Sequence, residues 1–255
     1  HDIVFDKNFK IGGQLIRIDI DAKQLWRNQM PTIAIRSDAG SAIKALLAAL
    51  PSREHNQPSL GAERASQVRE NSSVELGCLG HFRELFNTIL ETLPDARFVG
   101  DSTQPVYSGN HLVDLDGTRR WFNSTTGFGT LGYGLPAAIG ARLGDSSMPV
   151  ICLIGDGGLQ FTLPELASAV EAQVAIIIIL WNNQGYEEIK RYMERRDITP
   201  IGVDIFTPDF ITIARGFCCA AERAKDHEHL RELLRNAPLN KPLLVEINQA
   251  RPFHP

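Results

Sequence analysis

The chain has 255 residues, of which 43% are hydrophobic and 22% charged, with a formal net charge of −4. These proportions suit a globular protein of one large or two ordinary domains. They give no electrostatic footprint for nucleic acid or anionic lipid, and the apolar run Ala175–Trp181 is far too short to span a bilayer.

The opening HDIVFDKN has no initiator Met, no signal-peptide pattern and no strand or helix start, and reads as a fragment entered inside a domain. Leu15–Asp21 alternates like a strand, and Asp19 and Asp21 read as solvent-facing carboxylates at its end rather than as metal ligands. Ser41–Leu50 sets Ile43, Leu46, Leu47 and Leu50 on one face of an amphipathic helix. Residues 51–77 are polar and read as a surface connection with a short helix, Ala62–Glu70. Cys78, Cys152, Cys218 and Cys219 have no metal-ligand spacing and read as reduced thiols of a cytosolic enzyme.

His81–Leu93 has helical apolar spacing, and Arg97–Gly100 is a short strand ending at Asp101-Ser102-Thr103-Gln104. Small hydroxyls at a strand end suit either a ligand edge or a helix cap. Gly127, Gly129 and Gly132 match GxGxxG before a helix. No apolar strand precedes them and no acid follows at the right distance, so the dinucleotide reading is weak.

Pro149 to Ile189 is the most informative stretch. Val150–Ile154 is an apolar run that breaks at Gly155-Asp156-Gly157-Gly158, and a helix is expected over Leu163–Ala172. A second apolar run, Val174–Trp181, ends at Asn182-Asn183-Gln184-Gly185. Two continuous apolar runs around a helix predict a βαβ unit in a parallel sheet buried on both faces. Ligands of such sheets bind beyond the carboxyl ends of the strands, where Asp156 and Asn183 fall, 27 residues apart. A carboxylate, an amide oxygen and the Gly185 carbonyl suit Mg²⁺, which completes its octahedron with water and phosphate. Gly157 and Gly158 let backbone amides approach an anion. The alternative is that Asp156 only caps a helix and Asn183 only makes a turn. After a loop and a helix over 198–214, with TPDF as its cap, Leu243–Ile247 is a last strand. The fold class expected is α/β with a doubly wound parallel sheet.

GDG followed about thirty residues later by NN resembles the thiamine diphosphate signature. In that family the Asp, the second Asn and the carbonyl two residues on hold the metal, which implies Asp156, Asn183 and Gly185 here. The same two motifs add Gly155, Gly157, Gly158 and Tyr186 to the cofactor contacts, and the loop after the first strand adds Asp101, Ser102 and Thr103. The Gly-rich stretch resembles the family's segment under the pyrimidine ring. It implies Leu131 as the wedge that bends the cofactor and the Gly129 carbonyl as acceptor for the 4′-amino group; otherwise Leu131 is a core leucine. LIRIDIDAKQLWRNQMPTIAIRSDAGSAIKALLAAL resembles the end of the Rossmann-like middle domain of acetolactate synthase-like enzymes, which carries FAD in some members. The organisation implied is the end of a middle domain over 1–50, a linker over 51–80 and a diphosphate-binding domain over 81–255.

The family's activating Glu comes from an N-terminal pyrimidine-binding domain, normally of a second subunit. Nothing before residue 80 resembles that domain, so the chain is expected to be inactive alone and to belong to a homodimer or homotetramer. DSTQPVYSGN, TGFGTLGYGLPAAIGA and NNQGYEEIKRYM together look most like the branch that decarboxylates 5-guanidino-2-oxopentanoate. There Glu188 would face the guanidinium of a 2-oxo acid substrate. Glu187 serves equally well as an acid favoured by its helix N-terminus. An acetolactate synthase-like carboligase and a non-catalytic nucleotide-binding module are the alternatives.

Overall fold

The computed structural model describes residues 11–51, 60–75 and 79–249. The opening HDIVFDKN and Cys78 lie outside the described residues. The chain divides into two compact units, residues 1–70 and 71–255.

In the first unit β1 (Ile16–Asp19) and β2 (Ile33–Arg36) pair in parallel, with Ile16 opposite Ile33. The predicted strand Leu15–Asp21 is thus β1, shorter at both ends. Asp19 Oδ1 accepts from the Asp21 N–H at 2.8 Å, and Asp21 Oδ1 from the Lys23 N–H at 2.9 Å. Both carboxylates stabilise the turn that leaves the strand. Helix α1 (Ala39–Ala49) starts where the Asp38 carboxylate accepts from the Ser41 N–H at 2.9 Å. The apolar row Ile43, Leu46, Leu47 and Leu50 is exposed. Helix α2 (Leu60–Glu75) is longer than the predicted Ala62–Glu70. Its sequence LGAERASQVRENSSVE has no apolar stripe, so periodicity gave no signal for its ends.

The second unit carries, in order, α3 (Gly80–Thr92), β3 (Arg97–Gly100), α4 (Gln104–Leu112), β4 (Trp121–Asn123), α5 (Gly134–Gly144), β5 (Val150–Gly155), α6 (Asp156–Phe161), α7 (Glu165–Glu171), β6 (Ile176–Asn182), α8 (Glu187–Glu194), α9 (Phe210–Gly216), β7 (Ala220–Arg223), α10 (His227–Arg235) and β8 (Leu243–Asn248). The six strands form one parallel sheet in the order β4-β3-β5-β6-β8-β7. Every residue of β6 is buried, as the unbroken run Ile176–Asn182 requires.

Alternation along the strands sends their side chains to two cores. Val150, Cys152 and Ile154 pack with Leu135 and Ala138 of α5, Leu159 of α6 and Phe210 of α9. Ile151 and Leu153 pack with Phe82, Leu85 and Phe86 of α3, Val106 of α4 and Leu230 of α10. The sheet is therefore covered on both faces, the doubly wound arrangement expected from the sequence.

The observed elements depart from the expected ones in two places. The helix expected over Leu163–Ala172 is α7, which starts at Glu165 with Pro164 as its N-cap, and the six-residue helix α6 before it was not anticipated. The edge strands β4 and β7, with three and four residues, and the helices α4 and α10 beside them were not anticipated. From β3 the chain passes to β4 on one side and then returns to β5 on the other. The carboxyl ends of β3 and β5 thus flank a topological switch point, where open α/β sheets place ligands.

Candidate functional site

Register fixes which residues meet at that edge. Gly155 pairs with Trp181 and Gly100 with Leu153, so the loops beginning at Asp101, Asp156 and Asn183 leave the sheet side by side. They wall a cleft of about 290 Å³. Of the residues expected in the site, Ser102, Thr103, Gly129, Leu131, Gly155, Asp156, Gly157, Gly158, Asn183, Gly185, Tyr186 and Glu188 all line it.

Asp101, expected among the cofactor contacts, sits elsewhere. Its side chain is fully buried, and its carboxylate accepts from the Ser102 N–H at 2.9 Å and the Gly134 N–H at 2.7 Å. Burial raises its pKa, and the N–H groups of Gly134, Ser102, Gly132 and Tyr133 partly offset that rise. Asp101 ties the loop after β3 to the start of α5 and does not reach the cleft.

The glycines have a reason the sequence did not give. A Cβ on Gly157 would lie 2.5 Å from Cε1 of Tyr186, one on Gly158 2.8 Å from Oδ1 of Asp101, and one on Gly155 3.1 Å from Oγ1 of Thr103. The three loops are packed so closely that the space for a side chain is already taken.

Asp156, Asn183 and Gly185 come together at this edge. Asp156 is 1% exposed. Oδ1 of Asn183 lies 3.1 Å from Oδ1 of Asp156 and 2.9 Å from the carbonyl oxygen of Gly185. Acceptors at these separations repel unless a cation lies among them or the amide turns over, which lets its NH₂ donate to both. Octahedral Mg²⁺ with bonds of 2.0–2.1 Å holds neighbouring oxygens about 2.9 Å apart, so the separations fit such an ion. Burial raises the Asp156 pKa, offset in part by the N–H groups of Asn183, Gly157 and Gly185. No group of three or more His, Cys, Asp or Glu suited to a metal occurs among the described residues; this cluster draws on one carboxylate, one amide and one backbone carbonyl.

The loop carrying two of these oxygens is braced from below and outside. Gln184 takes a left-handed conformation (φ 65°), which few non-glycine residues adopt. It is held because Oδ1 of Asn182 accepts from its N–H at 3.2 Å. Asn182 Nδ2 in turn donates to the buried Glu246 at 2.7 Å, and Glu246 pairs with Arg223 at 2.8 Å. On the outside, the Tyr186 N–H donates to the Val203 carbonyl at 2.8 Å.

On the opposite wall the Ser102 hydroxyl donates to the Gly129 carbonyl at 3.0 Å and meets the Ser124 hydroxyl at 2.9 Å. Gly129 has φ 66°, a conformation glycine adopts freely. The carbonyl's second lone pair remains for another donor. Along α8, Glu187 pairs with Arg191 at 2.8 Å, whereas Glu188 accepts from Nε2 of Gln104 at 3.2 Å. Gln104, Tyr107 and Ile189 also line the cleft. Sequence reasoning passed over them, although the i, i+3 spacing of Gln104 and Tyr107 places both on one face of a helix.

A family model described as "Thiamine pyrophosphate enzyme, C-terminal TPP binding domain" matches residues 101–247. The chain belongs to the thiamine pyrophosphate enzyme family. Thiamine pyrophosphate and thiamine diphosphate are the same molecule, and residues 101–247 are the domain that binds it in this family. The chain is 36% identical to the probable 2-ketoarginine decarboxylase AruI of Pseudomonas aeruginosa, over 88% of this chain and 40% of that protein. It is 26% identical to an acetolactate synthase large subunit of Cyanidium caldarium, over 93% of this chain and 42% of that one. It is 29% identical to benzoylformate decarboxylase of Pseudomonas aeruginosa, over 92% and 44%. The chain spans about two fifths of the length of these curated relatives. Among solved structures, a thiamine diphosphate-dependent 4-hydroxybenzoylformate decarboxylase of Rhodococcus jostii RHA1 superposes with a TM-score of 0.72 at 24% identity, over 93% of this chain and 44% of that one. This shares the fold that the sequence led us to expect.

Proposed function

We propose that this chain is the metal-diphosphate half of an enzyme that decarboxylates a 2-oxo acid bearing a guanidino group, such as 5-guanidino-2-oxopentanoate. The observation that carries the reading is the convergence of the Asp156 carboxylate, the Asn183 amide and the Gly185 carbonyl in a cleft that Glu188 also lines. Asp156, Asn183 and the Gly185 carbonyl would hold Mg²⁺. Thiamine diphosphate, when bound, supplies the electron sink that decarboxylation requires. Ser102 and Thr103 would orient the diphosphate, Leu131 would support the bent cofactor, and Gly129 would accept from its 4′-amino group. Tyr186 closes the loop over Gly157 and limits water.

The guanidino assignment draws on Glu188 and on the likeness to the probable 2-ketoarginine decarboxylase. Both acids line the cleft, but Glu187 is tightly paired with Arg191 at 2.8 Å, whereas Glu188 accepts from the neutral Gln104 at 3.2 Å and meets Arg191 only at 3.9 Å. This supports Glu188, rather than Glu187, as the carboxylate offered to substrate. In the full-length protein, Glu188→Gln is expected to lower kcat/KM for 5-guanidino-2-oxopentanoate about 10-fold to 100-fold, the worth of one charge-assisted pair, and to affect pyruvate far less. Equal losses on both substrates would remove the assignment.

The reaction itself is tested with the full-length protein, thiamine diphosphate and Mg²⁺. The expected products of 5-guanidino-2-oxopentanoate are CO₂ and 4-guanidinobutanal. The acetolactate synthase relatives favour a second reading, carboligation; acetolactate formed from pyruvate as the main product would establish it. The share of the relatives' length that this chain spans supports a further, N-terminal pyrimidine-binding domain supplying the activating Glu. The 255 residues alone are therefore expected to release no CO₂ above background. Assembly as a homodimer or homotetramer and a cytoplasmic setting belong to the same proposal. No helix among the described residues is long and apolar enough to cross a membrane.

A further inference from the structure

We propose that Gln104 is a positioning residue for substrate choice, which fixes the Glu188 carboxylate in the pose that receives a guanidinium. This deepens, and rests on, the guanidino reading above. Gln104 opens α4 and is almost completely buried, yet it lines the cleft. Its Oε1 accepts from the indole Nε1–H of Trp181 at 3.2 Å, and its Nε2 donates to Oε1 of Glu188 at 3.2 Å. An indole N–H only donates, and an ionised carboxylate only accepts. The amide therefore has one satisfactory orientation. Turned over, it would set donor against donor at Trp181 and oxygen against oxygen at Glu188.

Trp181 is a firm anchor for this pair of bonds. It is the last residue but one of β6 and lies within the core, its ring lies 5.1 Å from that of Phe82, and its N–H is shared with Oε1 of Gln249 at 3.0 Å. The buried sheet thus reaches, through one amide, a glutamate on the exposed face of α8.

The partner's neutrality decides what Glu188 can recognise. Gln104 orients the carboxylate without cancelling its charge. Arg191 pairs with Glu187 at 2.8 Å and only loosely with Glu188, at 3.9 Å. A carboxylate held in one pose loses less rotamer freedom when a guanidinium binds it in bidentate fashion. A chain of the same length with an uncharged end gains nothing from that pose. Gln104 therefore acts on selectivity between substrates and not on the bond that breaks.

The test uses the full-length protein with thiamine diphosphate and Mg²⁺. Two quantities are read: the ratio of kcat/KM for 5-guanidino-2-oxopentanoate to that for 2-oxooctanoate, and the calorimetric Kd of 5-guanidinopentanoate, which has no oxo group to react. Gln104→Met keeps length and removes the N–H donor. It is expected to lower the ratio about 5-fold or more, chiefly through KM, and to weaken 5-guanidinopentanoate by a similar factor. Trp181→Phe removes only the indole N–H and is expected to act in the same direction, less strongly; combined with Gln104→Met it should add no further loss of selectivity. If Gln104→Met leaves ratio and Kd unchanged while Glu188→Gln lowers both, the role of Gln104 is overturned and the guanidino reading stands. If Glu188→Gln also changes neither, the guanidino reading itself has failed. Should Gln104→Met not fold, Trp181→Phe carries the test alone, and an unchanged ratio in that variant overturns the proposal.

Discussion

Asp156→Asn is expected to raise the Kd of thiamine diphosphate, measured with Mg²⁺ in the full-length protein, by roughly 100-fold or more. The substitution keeps the shape of the side chain and removes one charge. Breaking a buried charge pairing costs about 3 kcal/mol or more, and each 1.4 kcal/mol is tenfold in affinity. The effect on the protein without cofactor should have the opposite sign. Burial raises the Asp156 pKa above its ordinary 3.8. A group with a raised folded pKa gives its full stability below the unfolded value and loses it as pH rises through the folded one. At neutral pH the ionised carboxylate is therefore a cost to the fold when no cation offsets it. Asn removes that cost, so the thermal midpoint without cofactor should hold or rise. Stabilisation of the wild-type protein by cofactor and Mg²⁺ should grow with pH over the same interval. A Kd within a few-fold of wild type would show that Asp156 holds no cation.

Gly158→Ala is expected to destabilise the full-length protein by about 2–3 kcal/mol, as overpacking of a fitted core does. Alanine normally favours a helix over glycine by about 0.5–1 kcal/mol, so the sign of the result is diagnostic. The new methyl would stand 2.8 Å from Oδ1 and 3.2 Å from Cγ of Asp101, and 3.3 Å from Ile154. Asp101 cannot swing aside cheaply, because both its oxygens are engaged by N–H groups and it has no exposed surface. Gly140→Ala in α5 is the control. Nothing lies within 4 Å of its Cβ position, so it should gain about 0.5–1 kcal/mol. Thermal or denaturant unfolding of the two variants checks both signs; a stabilised Gly158→Ala would mean that the loop after β3 yields.

The central unit of this fold was legible because two unbroken apolar runs can only be strands covered on both sides. Their ends, Gly155-Asp156 and Asn182-Asn183, carried the chemistry in the identity of the residues themselves. The edges were not legible. β4 and β7 are short and have partly exposed residues, and their pairing depends on neighbours distant in sequence. The start of α7 just after Pro164 was there to be read, whereas the six residues of α6 are too few to show a helical period. Asp101 was misplaced because an acid at a strand end looks the same whether it faces ligand or backbone; only the approach of α5 decides. Gln104 was missed for a related reason: its partners, Trp181 and Glu188, lie 77 and 84 residues away, beyond any local spacing rule. The packing that excludes a side chain at Gly155, Gly157 and Gly158 was not legible either, since the neighbours are Thr103, Tyr186 and Asp101.

In the metal site proposed above Gly185 would contribute its oxygen from the main chain, and this changes what heredity can touch. A codon change can delete the donor atom at position 156 or 183, but none can delete it at 185. Lesions found there would act by bulk, since a Cβ would press to 2.7 Å from the Val203 carbonyl oxygen. A saturation screen would therefore record position 185 as intolerant of size and blind to polarity, and would never reveal it as a donor.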